Sequence, residues 1–329
     1  MKLYIPKGGK MTDQEKNDWI MNVNKMTEEF NKNELPVKYP IDIKSYSVLK
    51  KKTKYKEFIT EMWQEHYDKA EKLCMQGKKD LLRDNLLMYA FNLFAGGLWQ
   101  KSQIPYLESR WDEERLKQYL LEDAFMGPFI TSDKYHSSEQ KINHLTHLTL
   151  FEEKTKADID KMNMIVELGG GYGGMCRLLR KFNDKATHII IDLPIFLIIH
   201  QYYLNNIVGK ENVNLITDSS QGIKEGKVNL IDVSDDESIR LILESTPDLF
   251  IAAWSLSEAN KHTQDYIYSK EYFNAKHLLI GYRHYEEINK RQPCSDSIRL
   301  TKQYKSIFNG SAFYALAKEQ WYNFAKKRS

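Results

Sequence analysis

Residues 164–192 read MIVELGGGYGGMCRLLRKFNDKATHIIID, and the fold class turns on this stretch. Met164 to Leu168 is an apolar run of strand length, closed by a glycine cluster and not by a polar turn. Met175, Leu178, Leu179 and Phe182 then recur at helical spacing, and His188 to Ile191 forms a second apolar run ending on Asp192. Strand, glycine turn, helix, strand, acid is the βαβ layout of a nucleotide-binding unit. Without a Cβ, Gly169, Gly171 and Gly173 let the backbone turn sharply and a ligand lie against it. Asp192, about 20 residues on, is placed to accept two ribose hydroxyls; capping the helix that Pro194 opens is its simpler alternative.

Outward from this unit, the two halves of the chain differ. Residues 1–155 read as a helical N-terminal domain that lids the site and supplies substrate contacts, and residues 156–329 as the ligand-binding domain. In the first half, Thr12 and Glu15 form a capping box before Trp19, Ile20, Val23, Met26 and Phe30 on one face. Asn31 to Val48 reads as an irregular crossing segment, Lys54 to Met75 as a second helix, and Asp80 to Phe94 as a third. Ser109 is placed to cap a fourth helix and Ser137, with Gln140, a fifth. Trp19 and Trp63 read as core, whereas the Gly96 to Tyr106 break is expected to face the site. The basic run Lys50 to Lys56 reads as a solvated face.

In the second half, Val213 to Thr217 reads as strand three, and the near-identical VNLID at 228–232 as an extra short strand or pocket segment. Leu249 to Trp254 and His277 to Tyr282 are strands four and five. The segment YKSIFNGSAFYALAK reads as a hairpin turning at Asn309-Gly310.

Composition sets the outer limits. An apolar content of 42% sustains a core, and 28% charged residues suit a soluble surface. A net charge of +3 is too mild to argue for nucleic acid. Three scattered cysteines make neither a disulfide framework nor a metal cluster, which points to a reducing compartment. MKLYIPKGGKMTDQ has no apolar signal core and no run nears membrane-spanning length, so a cytoplasmic protein without membrane insertion is expected.

The glycines fit two patterns. Gly169, Gly171 and Gly174 satisfy the dinucleotide GxGxxG; Glu167, Gly169, Gly171 and Gly173 satisfy ExGxGxG. The second resembles the motif of class I methyltransferases that use S-adenosylmethionine (SAM). That resemblance implies a Rossmann-like α/β sheet of seven strands ending in an antiparallel hairpin, here preceded by the helical domain. It also implies SAM as cofactor, with Glu167 near its methionine end and Gly169, Gly170, Gly171, Gly173, Asp192 and Leu193 around it. For the adenine contact it implies an acid after the third strand. Asp218 and Asp232 both qualify, and Asp232 with Val233 is preferred. The order ELGGGYGG, IIIDLP, DLFIAAWSLSE is similar, over roughly residues 140–320, to a narrower group, sugar O-methyltransferases of polysaccharide synthesis. Trp254 and Ala259 depart from that group's flanking positions, although Trp254 is still placed among the cofactor contacts.

The resulting expectation is O-methylation of a sugar hydroxyl on a nucleotide-linked or polysaccharide precursor. Such a hydroxyl needs a base, and the order of preference is His284, Glu258, His262. His144 and His147 lie one turn apart and could reach the pocket, yet they lack partners for a metal. Asp235-Asp236 reads as a solvated acidic turn, so no metal is expected. A saccharide or small-molecule acceptor is the expected partner, with a homodimer left open. The rival readings are an RNA or other small-molecule methyltransferase, a nicotinamide or flavin oxidoreductase, and a non-catalytic SAM-binding partner.

Overall fold

A computed structural model describes residues 12–91, 100–283, 299–311 and 320–328. The N-terminal part holds α1 (Asp13–Asn31), α2 (Ile43–Lys52), α3 (Glu61–Met75), α4 (Asn85–Ala90), α5 (Gln100–Glu108), α6 (Glu113–Leu120) and α7 (Glu139–Thr155). The sheet part follows as β1 (Met164–Leu168), α8 (Gly174–Phe182), β2 (Thr187–Asp192), α9 (Pro194–Val208), β3 (Val213–Leu215) and β4 (Val228–Asp232). It continues through α10 (Asp236–Leu243), β5 (Leu249–Ala253), α11 (Ser255–Glu258), α12 (Lys261–Ser269), β6 (His277–Arg283), β7 (Tyr304–Ser311) and β8 (Gln320–Lys327).

The eight strands are ordered β3-β4-β2-β1-β5-β6-β8-β7. Strands β1 to β6 are parallel, and β8 runs antiparallel between β6 and β7. Without the edge strand β3, seven strands remain, closed by an antiparallel terminal pair. That is the expected class I methyltransferase sheet. Reversal of strand order at β1 opens a crevice beyond the carboxyl ends of β1, β2 and β5.

One strand assignment changes. Val228–Asp232 is the third strand of the central sheet, wholly buried beside β2, and Val213–Leu215 is the short edge strand outside it. The two VNL phrases lie side by side in register, and Asn214 donates to Asn229 at 2.9 Å. Asn229 is fully buried, and its amide also bonds the 224–227 turn, so both of its side-chain polar atoms have partners. The terminal hairpin exists, but Asn309-Gly310 is not its turn. Both residues lie inside β7, paired with Asn323 and Tyr322. Asn309 accepts a hydrogen bond from Tyr282 across the sheet, a contact that competes with turn formation.

The helical half departs from expectation mainly at helix starts. The crossing segment already contains α2, capped by Asp42. The second helix begins at Glu61, capped by Thr60, after a 3-10 turn at Tyr55–Glu57. The third is a 3-10 turn at Leu81–Arg83 plus the short α4, and residues 92–94 lie outside the described residues. Asp112 and Ser138, not Ser109 and Ser137, accept the hydrogen bonds that start α6 and α7. Gln100 to Tyr106 is helical within α5, while Gly96 to Trp99 lie outside the described residues.

Side chains of both halves share hydrophobic clusters: Tyr67, Leu73 and Phe91 pack with Phe196, Tyr203 and Leu230. A buried charge network adds to this joint. Lys141 on α7 lies 2.8 Å from Glu122 with both side chains 1% exposed, and 3.6 Å from Asp123. Arg177 on α8 holds Asp123 through two guanidinium nitrogens, and Tyr203 donates to the same carboxylate. Ser138 donates to Glu122. No described helix is long and apolar enough to cross a membrane.

Candidate functional site

β1 and the turn after it form the floor of one cavity. Glu167, Leu168, Gly169, Gly170 and Gly171 line it, joined by Asp192 and Leu193 after β2, Val233 after β4, and Trp254 and Ser255 after β5. Gly169 has φ +71 and sits so close to α11 that a Cβ would stand 2.5 Å from the Ser255 Cβ. Ser255 is held there because its hydroxyl donates to the Leu168 carbonyl. Gly171, φ +63, is less crowded: a Cβ there would touch Gln140 and Phe91 at 3.7 Å, an ordinary contact. Gly173 serves packing instead, at the start of α8 against Tyr203, and does not line the cavity.

Roof and walls come from the helical half. The roof is Phe58, Ile59, Thr60 and Trp63, while α7 contributes Gln140, Asn143 and His144. The Phe58–Thr60 segment is tied down from the sheet side. Asn260 donates to the carbonyls of Glu57 and Ile59, and Thr263 to that of Phe58. Trp63 packs against the core, as expected, and also lines the cavity. Among these residues the sequence pointed to His144, as able to reach the pocket, and to Gln140 only as part of a capping pattern.

Asp192 ends β2 with one oxygen accepting from the Leu193 amide at 2.7 Å and the other 3.0 Å from Nε2 of His200. His200 on α9 is fully buried, and its ring also packs under Gly170. It braces both the acid and the glycine turn. Sequence reasoning missed it; the available signal was a single histidine ending the apolar run Ile195 to Ile199, eight residues after the acid.

Asp232 is buried and level with Asp192 in the sheet, but its Oδ1 accepts from the Ser234 amide and hydroxyl, and only its neighbour Val233 lines the cavity. Burial raises the Asp232 carboxyl above the usual carboxylate range. Asp218 is an exposed turn residue that caps its own 3-10 turn and pairs with Lys52. Trp254 lines the cavity with φ +70, strained for a bulky residue. Its ring lies near those of His147 and Tyr322.

Among the base candidates, Glu258 lines the cavity on the single turn α11, on the same side as Ser255. His262 does not reach it: its side chain is 53% exposed, 4.0 Å from Glu57, and packs edge-on to the outer side of Phe58. His284 lies outside the described residues. His144 lines the wall, and burial followed by the nearby Lys141 charge pushes its imidazole down to about 3, so it stands neutral at physiological pH. Asp235 caps α10, and no group of three metal-binding side chains occurs among the described residues.

Glu167 dominates the electrostatics. Burial, then the adjacent Asp192 charge, pushes its carboxyl up to about 8. Three carboxyl groups, Glu167, Asp192 and Glu258, line the cavity, and no lysine or arginine does among the described residues. Because the folded value lies above the ordinary one of about 4.3, the folded chain keeps a proton that the unfolded chain releases. This contribution to stability is complete at acid pH and is lost as pH rises toward 8. Glu167→Gln is therefore expected to flatten the fall in urea midpoint between about pH 5 and 8. An unchanged slope would remove Glu167 as its source.

No family model matches the chain, and no curated protein matches it. Solved structures of similar layout include the 16S rRNA methylase ArmA, 13% identical over 70% of this chain and 98% of that one, TM-score 0.36. The mitomycin 7-O-methyltransferase MmcR is 8% identical over 96% of this chain and 98% of its own, TM-score 0.36. An O-methyltransferase family protein from Burkholderia thailandensis is 11% identical over 71% and 72%, TM-score 0.35. Likeness at that level decides nothing about activity, and the fold class rests on the strand order itself.

Proposed function

We propose that this chain is a SAM-dependent O-methyltransferase acting on a sugar hydroxyl, of a nucleotide-linked sugar or a surface polysaccharide precursor. The carrying observation is a cavity at the switch point of the sheet whose described lining has three carboxyl groups and no lysine or arginine. Such a lining suits a cationic nucleoside. Asp192, braced by His200, is set to receive two ribose hydroxyls, and Glu167 to face the ammonium. The glycine turn admits the ligand along Gly171, and Val233 with Phe58 offers an apolar slot for the base. The SAM sulfonium supplies an electrophilic methyl group when bound there.

The protein's part is to hold the acceptor oxygen in line and to receive its proton. Glu258 is the described carboxylate on the β5 side that lines the cavity and can take that proton; His284, ranked first from the sequence, lies outside the described residues and is the alternative. The sugar acceptor rests on the likeness of ELGGGYGG, IIIDLP and DLFIAAWSLSE to sugar O-methyltransferases, and a cytoplasmic location goes with it. The antiparallel terminal pair and the acid at Glu167 favour this reading over a nicotinamide or flavin oxidoreductase.

Calorimetry with SAM and S-adenosylhomocysteine is expected to show binding, and NAD none. Asp192→Ala is expected to weaken the first two by about 10- to 100-fold, the loss of one charged hydrogen-bonding partner. Binding of NAD in preference to SAM would overturn the reading.

A further inference from the structure

The geometry points to Gln140 and Asn143, one turn apart at the start of α7, as a neutral amide clamp for the α-amino-carboxylate end of the ligand. This rests on the cofactor reading above and specifies which chemistry α7 adds to it. Gln140 is the second residue of α7, 7% exposed, and lines the cavity opposite Gly171. Its Nε2 would stand 3.7 Å from a Cβ on Gly171. Its Oε1 is fully buried and has no hydrogen-bond partner among the described residues. A buried amide oxygen left so keeps its desolvation cost uncompensated until a donor reaches it.

Asn143 is 3% exposed and also lines the cavity. Its Oδ1 accepts from Nε2 of Gln103 on α5 at 2.8 Å, which fixes the amide with Nδ2 as its donor. Gln140 thus offers an acceptor and a donor, Asn143 a donor, and the Glu167 carboxyl a further acceptor. An α-amino-carboxylate asks for that set: acceptors for the ammonium and donors for the carboxylate. With no arginine or lysine among the described lining residues, the donors are amides. Neutral groups avoid the large desolvation cost of a buried cation. Gly171 lines the same cavity beside Gln140, so a tail lying along the glycine turn passes within reach of α7.

Two nucleosides separate the tail from the rest of the ligand. S-adenosylhomocysteine carries the amino-acid end, and 5′-methylthioadenosine lacks it. Calorimetry on the full chain is expected to show that Gln140→Leu weakens S-adenosylhomocysteine about 10-fold or more. The same change should leave 5′-methylthioadenosine within about twofold, and retained binding of that compound also reports a folded site. Gln140→Glu keeps the side-chain length and sets a carboxylate against the ligand's own, so it should show the same selective loss. Equal weakening of both ligands, or of neither, would overturn the clamp while the cofactor reading stands. A wild-type chain that binds neither compound would overturn both.

Discussion

Lys141→Met is expected to lower unfolding stability by about 3–5 kcal/mol, the loss that follows when one member of a buried ion pair is removed. Lys141 and Glu122 each have side chains 1% exposed, so the stranded carboxylate could not recover its hydration. Lys141 also donates to the Leu121 carbonyl and lies near Asp123, so several acceptors lose a partner together. Urea unfolding measures the effect, and the double change Lys141→Met with Glu122→Met should recover much of it because no uncompensated charge remains. A loss under about 1 kcal/mol would mean that water reaches these groups. The network also sets an acid limit. Burial alone would raise the Asp123 carboxyl, but the Lys141 charge and the Arg177 hydrogen bonds hold it well below the usual range. Its contribution is present above the ordinary carboxylate pKa of about 3.9 and is lost as pH falls toward the depressed folded value. Lys141→Met should therefore unfold at a higher pH on acid titration.

The second large effect is at the glycine turn. Gly169→Ala is expected to cost about 2–5 kcal/mol: roughly 1–2 for a left-handed backbone and roughly 1–3 for overpacking. The new methyl would meet the Ser255 Cβ at 2.5 Å, and Ser255 cannot step aside without breaking its bond to the Leu168 carbonyl. Gly77→Ala provides the comparison, because Gly77 has φ +66 with nothing within 4 Å of a Cβ. It should cost only the backbone share, about 1 kcal/mol. Matching losses in thermal or urea unfolding would show that α11 does not press on the turn. Gly169→Ala should also abolish SAM binding, since pushing α11 away displaces Ser255 and Glu258 together.

The unit from Met164 to Asp192 was readable in the sequence because its signals are local: two apolar runs, glycines where φ is positive, and an acid at a strand end. The swap between the third strand and the edge strand was not. Both carry the phrase VNL, and only pairing distinguishes them. Asn309-Gly310 shows the same limit, since a turn-forming dipeptide is overruled by the register of β8. On the floor of the cavity, sequence reasoning found Glu167, Gly169 and Asp192, whose spacing is set within one βαβ unit. It missed Gln140, Asn143 and Trp63 as cavity residues and His200 as the support behind Asp192; helix packing brings them there, and packing leaves no period in the residues themselves.

The ties from Asn260 and Thr263 to Glu57, Phe58 and Ile59 join positions 201 to 205 residues apart. During synthesis the ceiling therefore leaves the ribosome long before its fastenings exist. The entropy of closing a ring grows only slowly with its span, so fastenings this distant in sequence cost little more than nearer ones would. They add to the anchors at Thr53 and Lys54 on Ser234 and to the buried Phe58 ring, so the ceiling is set from the far end of the chain as much as from its own neighbours.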